Sequence, residues 1–197
     1  MTQFNLLSEN NRLFFEAELL KKLNDNKESF DQQTKQPRAI AEAVEEYVKK
    51  SFVSCWPAGM IKRDATSSLS RRAMADILVY DNDDIEYSVD IKTTCLTADF
   101  HMPNITSIKR LSDYYFNSDN VCFIILVIRY KMDSDGISFD GIEMSAIEQV
   151  VWDGQLQIED DLRDLGAGDV MLRADAAGVA ADVSAGNHAR DRLFRPV

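Results

Sequence analysis

The segment MADILVYDNDDIEYSVDIKTT, Met74 to Thr94, holds two runs of alternating apolar and polar residues around a cluster of Asp and Asn. Period-two alternation places successive side chains on opposite faces of a strand, and Asp/Asn clusters make turns, so the segment predicts a β-hairpin. With Asn82, Asp83 and Asp84 as a three-residue loop, Asp81 faces Ile85 and Asp76 lies across from Asp90. Ile77, Val79, Ile85, Tyr87, Val89 and Ile91 then share one apolar face. The other face carries Asp76, Leu78, Tyr80, Glu86, Ser88, Asp90 and Lys92. A one-residue slip would separate the aspartates, but it would also break the apolar set, so the hydrophobic pattern itself selects this register.

The rest of the chain reads as mixed α and β around that hairpin. LSENNRLFFEAELLKKLN predicts a helix capped near Ser8, burying Leu13, Leu19, Leu20 and Leu23. Asp25 to Pro37 is polar and reads as a linker. RAIAEAVEEYVKKSF gives a second helix with Ile40, Val44, Tyr47 and Val48 on one stripe. FVSCWPAGMIK suggests a strand interrupted at Pro57, and Ile105 to Phe116 a helix. NVCFIILVIRYK is apolar on both faces, the mark of a central strand. DSDG is a turn, and GISFDGIEMSAIEQVVWDG is expected to supply further short strands. The fold class is α/β or α+β, a central mixed sheet flanked by helices. A single domain spanning 1–197 is expected, with a helical region 1–37, a core about 38–131 and a C-terminal region about 132–197.

Composition narrows the function classes. The longest apolar run, Cys122 to Ile128, is far too short for a membrane helix, and no basic-then-apolar leader is visible. Three cysteines without metal-like spacing read as reduced thiols, and the chain is expected in the cytoplasm. Neither GxxxxGK[ST] nor GxGxxG occurs, which disfavours nucleotide cofactors. The two histidines, His101 and His188, without paired cysteines disfavour a structural zinc site. A net charge of −11 speaks against a nucleic-acid partner, but the basic residues are bunched: Lys62, Arg63, Arg71 and Arg72 before the hairpin, Lys109 and Arg110 after it, Arg190, Arg192 and Arg195 near the end.

Asp76 and Asp90, at a cross-strand Cβ separation of roughly 5 Å, repel unless a proton or cation lies between them. A hard divalent ion such as Mg²⁺ suits one or two carboxylates completed by water and phosphate. Lys92 reaches the same face and can orient a water or stabilise a pentacovalent phosphate, which together describes phosphodiester hydrolysis. The pattern alone leaves open a solvated sheet face with an ordinary Asp–Lys pair, worth little energetically. A second Asp-x-Lys, Asp25 to Lys27, lies in the polar segment and carries no such context.

Asp76, thirteen intervening residues, then Asp90-Ile91-Lys92 resembles the PD-(D/E)xK nuclease motif. The string DIKTT, Asp90 to Thr94, is similar to the active-site strand of type II restriction endonucleases of the EcoRV and HincII kind. By element order the resemblance covers roughly Arg38 to Lys131. Ala75 departs from the proline often found before the first acid. The resemblance implies a restriction-endonuclease-like core and Mg²⁺ held by Asp76 and Asp90, with the Ile91 carbonyl as a further ligand. It also implies a metal-activated water attacking phosphorus in line to leave a 5′-phosphate. A further acid often comes from the helix before the hairpin. Glu45, at the edge of that helix's apolar stripe, is the choice here and Glu46 the fallback.

On the same grounds the expected partner is double-stranded DNA, cut by a homodimer at a specific sequence. Arg71, Arg72, Thr93 and Thr94 are the expected DNA contacts near the strand, and Asn187, His188 and Arg190 those in the C-terminal part. For the C-terminal group a polar tail is the competing reading. The alternatives to a restriction enzyme are a structure-specific repair or recombination nuclease of the same fold, and a DNA-binding or assembly protein without catalysis.

Overall fold

The structure is a computed structural model that describes residues 5–31, 37–70, 73–97, 104–134, 136–149 and 171–173. Four α-helices, α1 (Glu9–Asp25), α2 (Lys27–Asp31), α3 (Pro37–Ser51) and α4 (Ile108–Asn117), accompany seven strands among those residues. The strands are β1 (Ile61–Asp64), β2 (Ile77–Asp81), β3 (Glu86–Cys95), β4 (Asn104–Ser107), β5 (Val121–Asp133), β6 (Gly136–Ala146) and β7 (Met171–Arg173). Five of them form a mixed sheet in the order β1-β2-β3-β5-β6, while β4 and β7 pair separately. Only the β3–β5 pairing in the five-stranded sheet is parallel. Parallel neighbours need a crossover, and α4 lies in the connection that supplies it.

The hairpin adopts the register selected by its apolar pattern: Ile77 pairs with Val89, Leu78 with Ser88, Val79 with Tyr87 and Tyr80 with Glu86. Its loop closes through Asp81 N–H to Ile85 O at 3.2 Å, with Asp84 at φ 57°, a left-handed position that aspartate tolerates better than most side chains. The Asp81 carboxylate is fully buried and accepts three bonds: Asp83 N–H at 2.9 Å, Ile85 N–H at 3.0 Å and the Tyr87 hydroxyl at 2.9 Å. Burial, then the bond to that carboxylate, pushes the Tyr87 hydroxyl's pKa far up, so it remains a donor.

Strand β5 explains the layering. Cys122, Ile124, Leu126, Ile128 and Tyr130 face one core, built with Phe15, Leu19, Phe30, Ile40, Val44 and Val48 of α1, α2 and α3. Phe123, Ile125 and Val127 face a second, built with Leu111 and Tyr115 of α4. A strand covered on both faces needs apolar residues at every position, and this one has them from Val121 to Ile128. The outer edge of β6 is capped by α1: Asn24 exchanges two hydrogen bonds with the Phe139 backbone, and Glu16 accepts from Met144 N–H at 2.8 Å. Side chains thus satisfy an edge that could otherwise recruit another strand. No helix among the described residues is long and apolar enough to cross a membrane.

Several expectations are corrected. Leu13 is half exposed, because α1 buries the Phe15/Leu19/Leu23 stripe and Leu13 lies to one side of it. The polar segment after Asp25 begins with the short helix α2, held by Phe30 against Tyr47 and Phe139. Val53–Cys55 is a 3₁₀ turn rather than a strand, and Trp56 stacks on Phe15 at 4.5 Å in the core. Residues 104–107 form β4, ahead of a helix that starts at Ile108. After the turn, one strand of 11 residues replaces the expected short ones. Its register shifts where Arg129 faces Gly141 and Tyr130 faces Phe139, which leaves Asp140 as a bulge.

Asp81→Ala removes the acceptor of three donors, two of them buried, and is expected to destabilise the protein by about 2–4 kcal/mol. Urea unfolding measures this directly, and a loss below about 0.5 kcal/mol would contradict the role given to this carboxylate.

Candidate active site

Asp90 and Lys92 lie on the face of β3 that α4 and the second core cover, beside Ile125 and Val127 of β5. This is not a solvated sheet face: Asp90 is 5% exposed, and the Lys92 side chain 17%. Lys92 Nζ stands 2.9 Å from Asp90 Oδ2, yet that buried oxygen receives no well-directed hydrogen bond. The pair is held by charge and proximity, with acceptor capacity left over.

Asp76 comes just before β2, where the chain bends. Its N–H donates to Val89 O at 2.9 Å, although Val89 already faces Ile77 in the ladder. Asp76 therefore does not continue the regular pairing to stand squarely opposite Asp90. Its carboxylate, at the start of β2, instead meets the β3 backbone, where Oδ2 accepts the Ile91 N–H at 2.9 Å. The two aspartates still interact. Burial raises the Asp90 carboxyl, the Lys92 ammonium opposes this, and the Asp76 carboxylate, near enough to share a proton, raises it again, to about 7.

Of the three glutamates on α3, Glu42, Glu45 and Glu46, only Glu45 turns toward this site. Glu42 pairs with Arg38 and Glu46 with Lys50, both in exposed i,i+4 pairs. Glu45 reaches Asp76 through a residue that the sequence reading did not single out. Lys49 Nζ lies 2.5 Å from Glu45 Oε1 and 3.3 Å from Asp76 Oδ1. Burial alone would lower the Lys49 pKa, but the Glu45 hydrogen bond and the Asp76 charge outweigh it and raise the value. The i,i+4 spacing from Glu45 was the one available signal, and every surface helix carries such pairs.

The remaining expected residues divide clearly. Thr93 and Thr94 are half-buried on the C-terminal part of β3, just beyond Lys92. Ile91 engages Asp76 through its N–H. Arg71, Arg72, Asn187, His188 and Arg190 lie outside the described residues. Two members of the first basic cluster have local partners: Lys62 pairs with Asp84 at 2.7 Å, and the Arg63 guanidinium stacks 3.8 Å over the Tyr80 ring. A cleft of about 700 Å³ opens beside the opposite end of β3, lined by Tyr80, Glu86, Arg110 and Tyr114 among others. None of Asp76, Asp90 and Lys92 lines it.

Among the described residues, no three of the His, Cys, Asp and Glu side chains are grouped to hold a metal ion. Two carboxylates do meet, and one keeps a buried oxygen without a directed donor. That donor set fits a hard divalent cation, which takes one or two protein carboxylates and fills its shell with water and phosphate. It does not suit zinc, which takes three or four ligands rich in nitrogen and sulfur. No protein-family model matches the chain, and no curated protein matches it in sequence.

Between about pH 4 and pH 7 the folded chain keeps a proton on Asp90 that the unfolded chain has released. Stability through this group therefore falls as the pH rises across that window and levels off above it, by about 4 kcal/mol at most. Carboxyl-carbon NMR of metal-free protein should place the Asp90 titration near 7. Unfolding of Asp90→Asn between pH 5 and 8 should lack the corresponding slope, and an ordinary aspartate titration would remove the account of this site.

Proposed function

We propose that the chain is a Mg²⁺-dependent endonuclease of double-stranded DNA with a restriction-endonuclease-like core. Its economical form is a type II, sequence-specific enzyme acting as a cytoplasmic homodimer. The observation that carries this reading is the meeting of two carboxylates and a lysine at the start of β2 and the middle of β3, with the Lys92 ammonium 2.9 Å from Asp90. The element order supports it: a helix, an antiparallel hairpin, a second helix and a strand parallel to the hairpin's second arm.

In this reading Asp76 and Asp90 hold Mg²⁺, which when bound supplies positive charge to the phosphate and makes a water more acidic. Asp76 is fixed for that task by the Ile91 N–H, so one of its oxygens is anchored while the other faces cations. Lys92 donates hydrogen bonds to the attacking water or to the non-bridging phosphate oxygens, where charge accumulates in the transition state. Hydrolysis forms a new bond from the water oxygen to phosphorus and breaks the bond to the 3′ oxygen. That oxygen leaves with a proton, and the phosphate stays on the 5′ side. The low exposure of Asp90 and Lys92 strengthens the attraction between their charges relative to a pair in open water.

Incubation of a long mixed-sequence duplex with purified protein and Mg²⁺ should give discrete fragments, and chelator should abolish them. Asp90→Ala and Lys92→Ala are each expected to lower the cleavage rate by at least about 10²-fold. Cutting confined to branched or mismatched DNA would replace sequence specificity with structure specificity. An inert wild-type protein on every substrate, with DNA binding retained, would sink the nuclease reading.

A further inference from the structure

Two lysines, Lys49 and Lys92, stand beside the paired Asp76 and Asp90, and they are not equivalent. Lys92 serves Asp90 from the same strand. Lys49 comes from α3, which packs its apolar stripe on the opposite face of the sheet, and its side chain reaches Asp76. Its neighbour Lys50 shows what an ordinary lysine at this point of the helix does: it is 79% exposed and 3.9 Å from Glu46. Lys49 is 25% exposed and bridges two acids. An ammonium held in such a place compensates charge that a divalent ion would otherwise compensate.

Resting on the metal site proposed above, we infer that Lys49 is a built-in counter-cation of Asp76, one that a divalent ion must displace to bind. Asp76 Oδ2 is committed to the Ile91 N–H, so Oδ1 is the oxygen most open to a metal, and Oδ1 is the atom that Lys49 approaches. The ammonium and the ion compete for the same lone pairs, and their like charges repel at that range. Glu45 gives the displaced ammonium a seat one helical turn away, because the Glu45–Lys49 pair is internal to α3 and survives withdrawal from Asp76. Glu45 then acts as a positioning residue for Lys49 and is not itself a ligand. The device keeps the metal-free site neutralised and sets a threshold concentration for loading it.

Occupancy by Lys49 multiplies the metal affinity by the fraction of time the site is free. Mn²⁺ binding, read from the EPR signal of the free ion with Mg²⁺ as competitor, measures this without any activity assay. Lys49→Met keeps the apolar stem and removes the ammonium. It should bind Mn²⁺ at least about fivefold more tightly, the factor expected when the lysine holds the site about four-fifths of the time. Lys49→Gln serves as a second neutral variant and should shift the same way. Lys50→Met removes the same charge one residue along and should stay within about twofold of wild type, since exposed charges are strongly screened. Glu45→Gln should bind more weakly, and Glu45→Gln/Lys49→Met should return to the affinity of Lys49→Met. A double variant that binds as weakly as Glu45→Gln would make Glu45 a ligand and overturn the inference. So would unchanged or weaker binding in both Lys49 variants while wild type binds normally. No Mn²⁺ bound by any of the proteins would overturn the metal site along with it.

Discussion

Strand β3 runs between β2 and β5 and is buried from Tyr87 to Ile91, so a charge placed in that stretch must be neutralised by neighbours rather than by water. That constraint organises the candidate site. Asp90 cannot lie ionised and alone, and it has three relations instead: the Lys92 ammonium, a proton held near neutral pH, and the nearby Asp76 carboxylate. Asp76 in turn leans on the Ile91 N–H and on Lys49, and Lys49 on Glu45. The result is a chain of charged groups from α3 through the start of β2 to the middle of β3, in which lysines flank the two aspartates. Removing one member leaves its neighbour's charge uncompensated.

The same burial separates this Asp-x-Lys from the one at Asp25 to Lys27. Asp25 ends α1, and Asn26 and Lys27 lead into α2, at the surface, where water screens both charges and a pair is worth little. Asp90 and Lys92 have the same spacing, but the sheet holds them 2.9 Å apart with little solvent access. Two identical three-residue patterns thus differ in chemical potential through their surroundings alone. The cleft beside the start of β3 makes the complementary point: it is lined by Glu86, whereas Asp90 and Lys92 lie further along the strand and outside it.

Sequence reading reached much of this because its strongest signals are local. The alternation of Ile77, Val79, Tyr87 and Val89 identified the hairpin and its register, since a slip would expose the whole apolar set. The unbroken run from Val121 to Ile128 identified an interior strand. Reading was weakest where the deciding contact is remote. The segment after Asp25 looks like a linker until Phe30 finds Tyr47 and Phe139. The length of β6 depends on α1 satisfying its edge through Glu16 and Asn24. Leu13 could not be told from a buried leucine without knowing which side of α1 meets the sheet.

Sequence by itself determined the hairpin, the strand carrying Asp90 and Lys92, and the sharing of one face by those two residues. A period of two and a hydrophobic pattern suffice for each. Only the tertiary structure decided that this face is buried, since the covering residues come from α4 and β5, beyond Ile108 in the chain. Only it decided that Asp76 bends at the start of β2 rather than pairing squarely with Asp90, because its carboxylate answers to the Ile91 N–H. Only it joined Lys49 to Asp76 across 27 positions, a contact that depends on how α3 sits against the sheet and that no local pattern encodes.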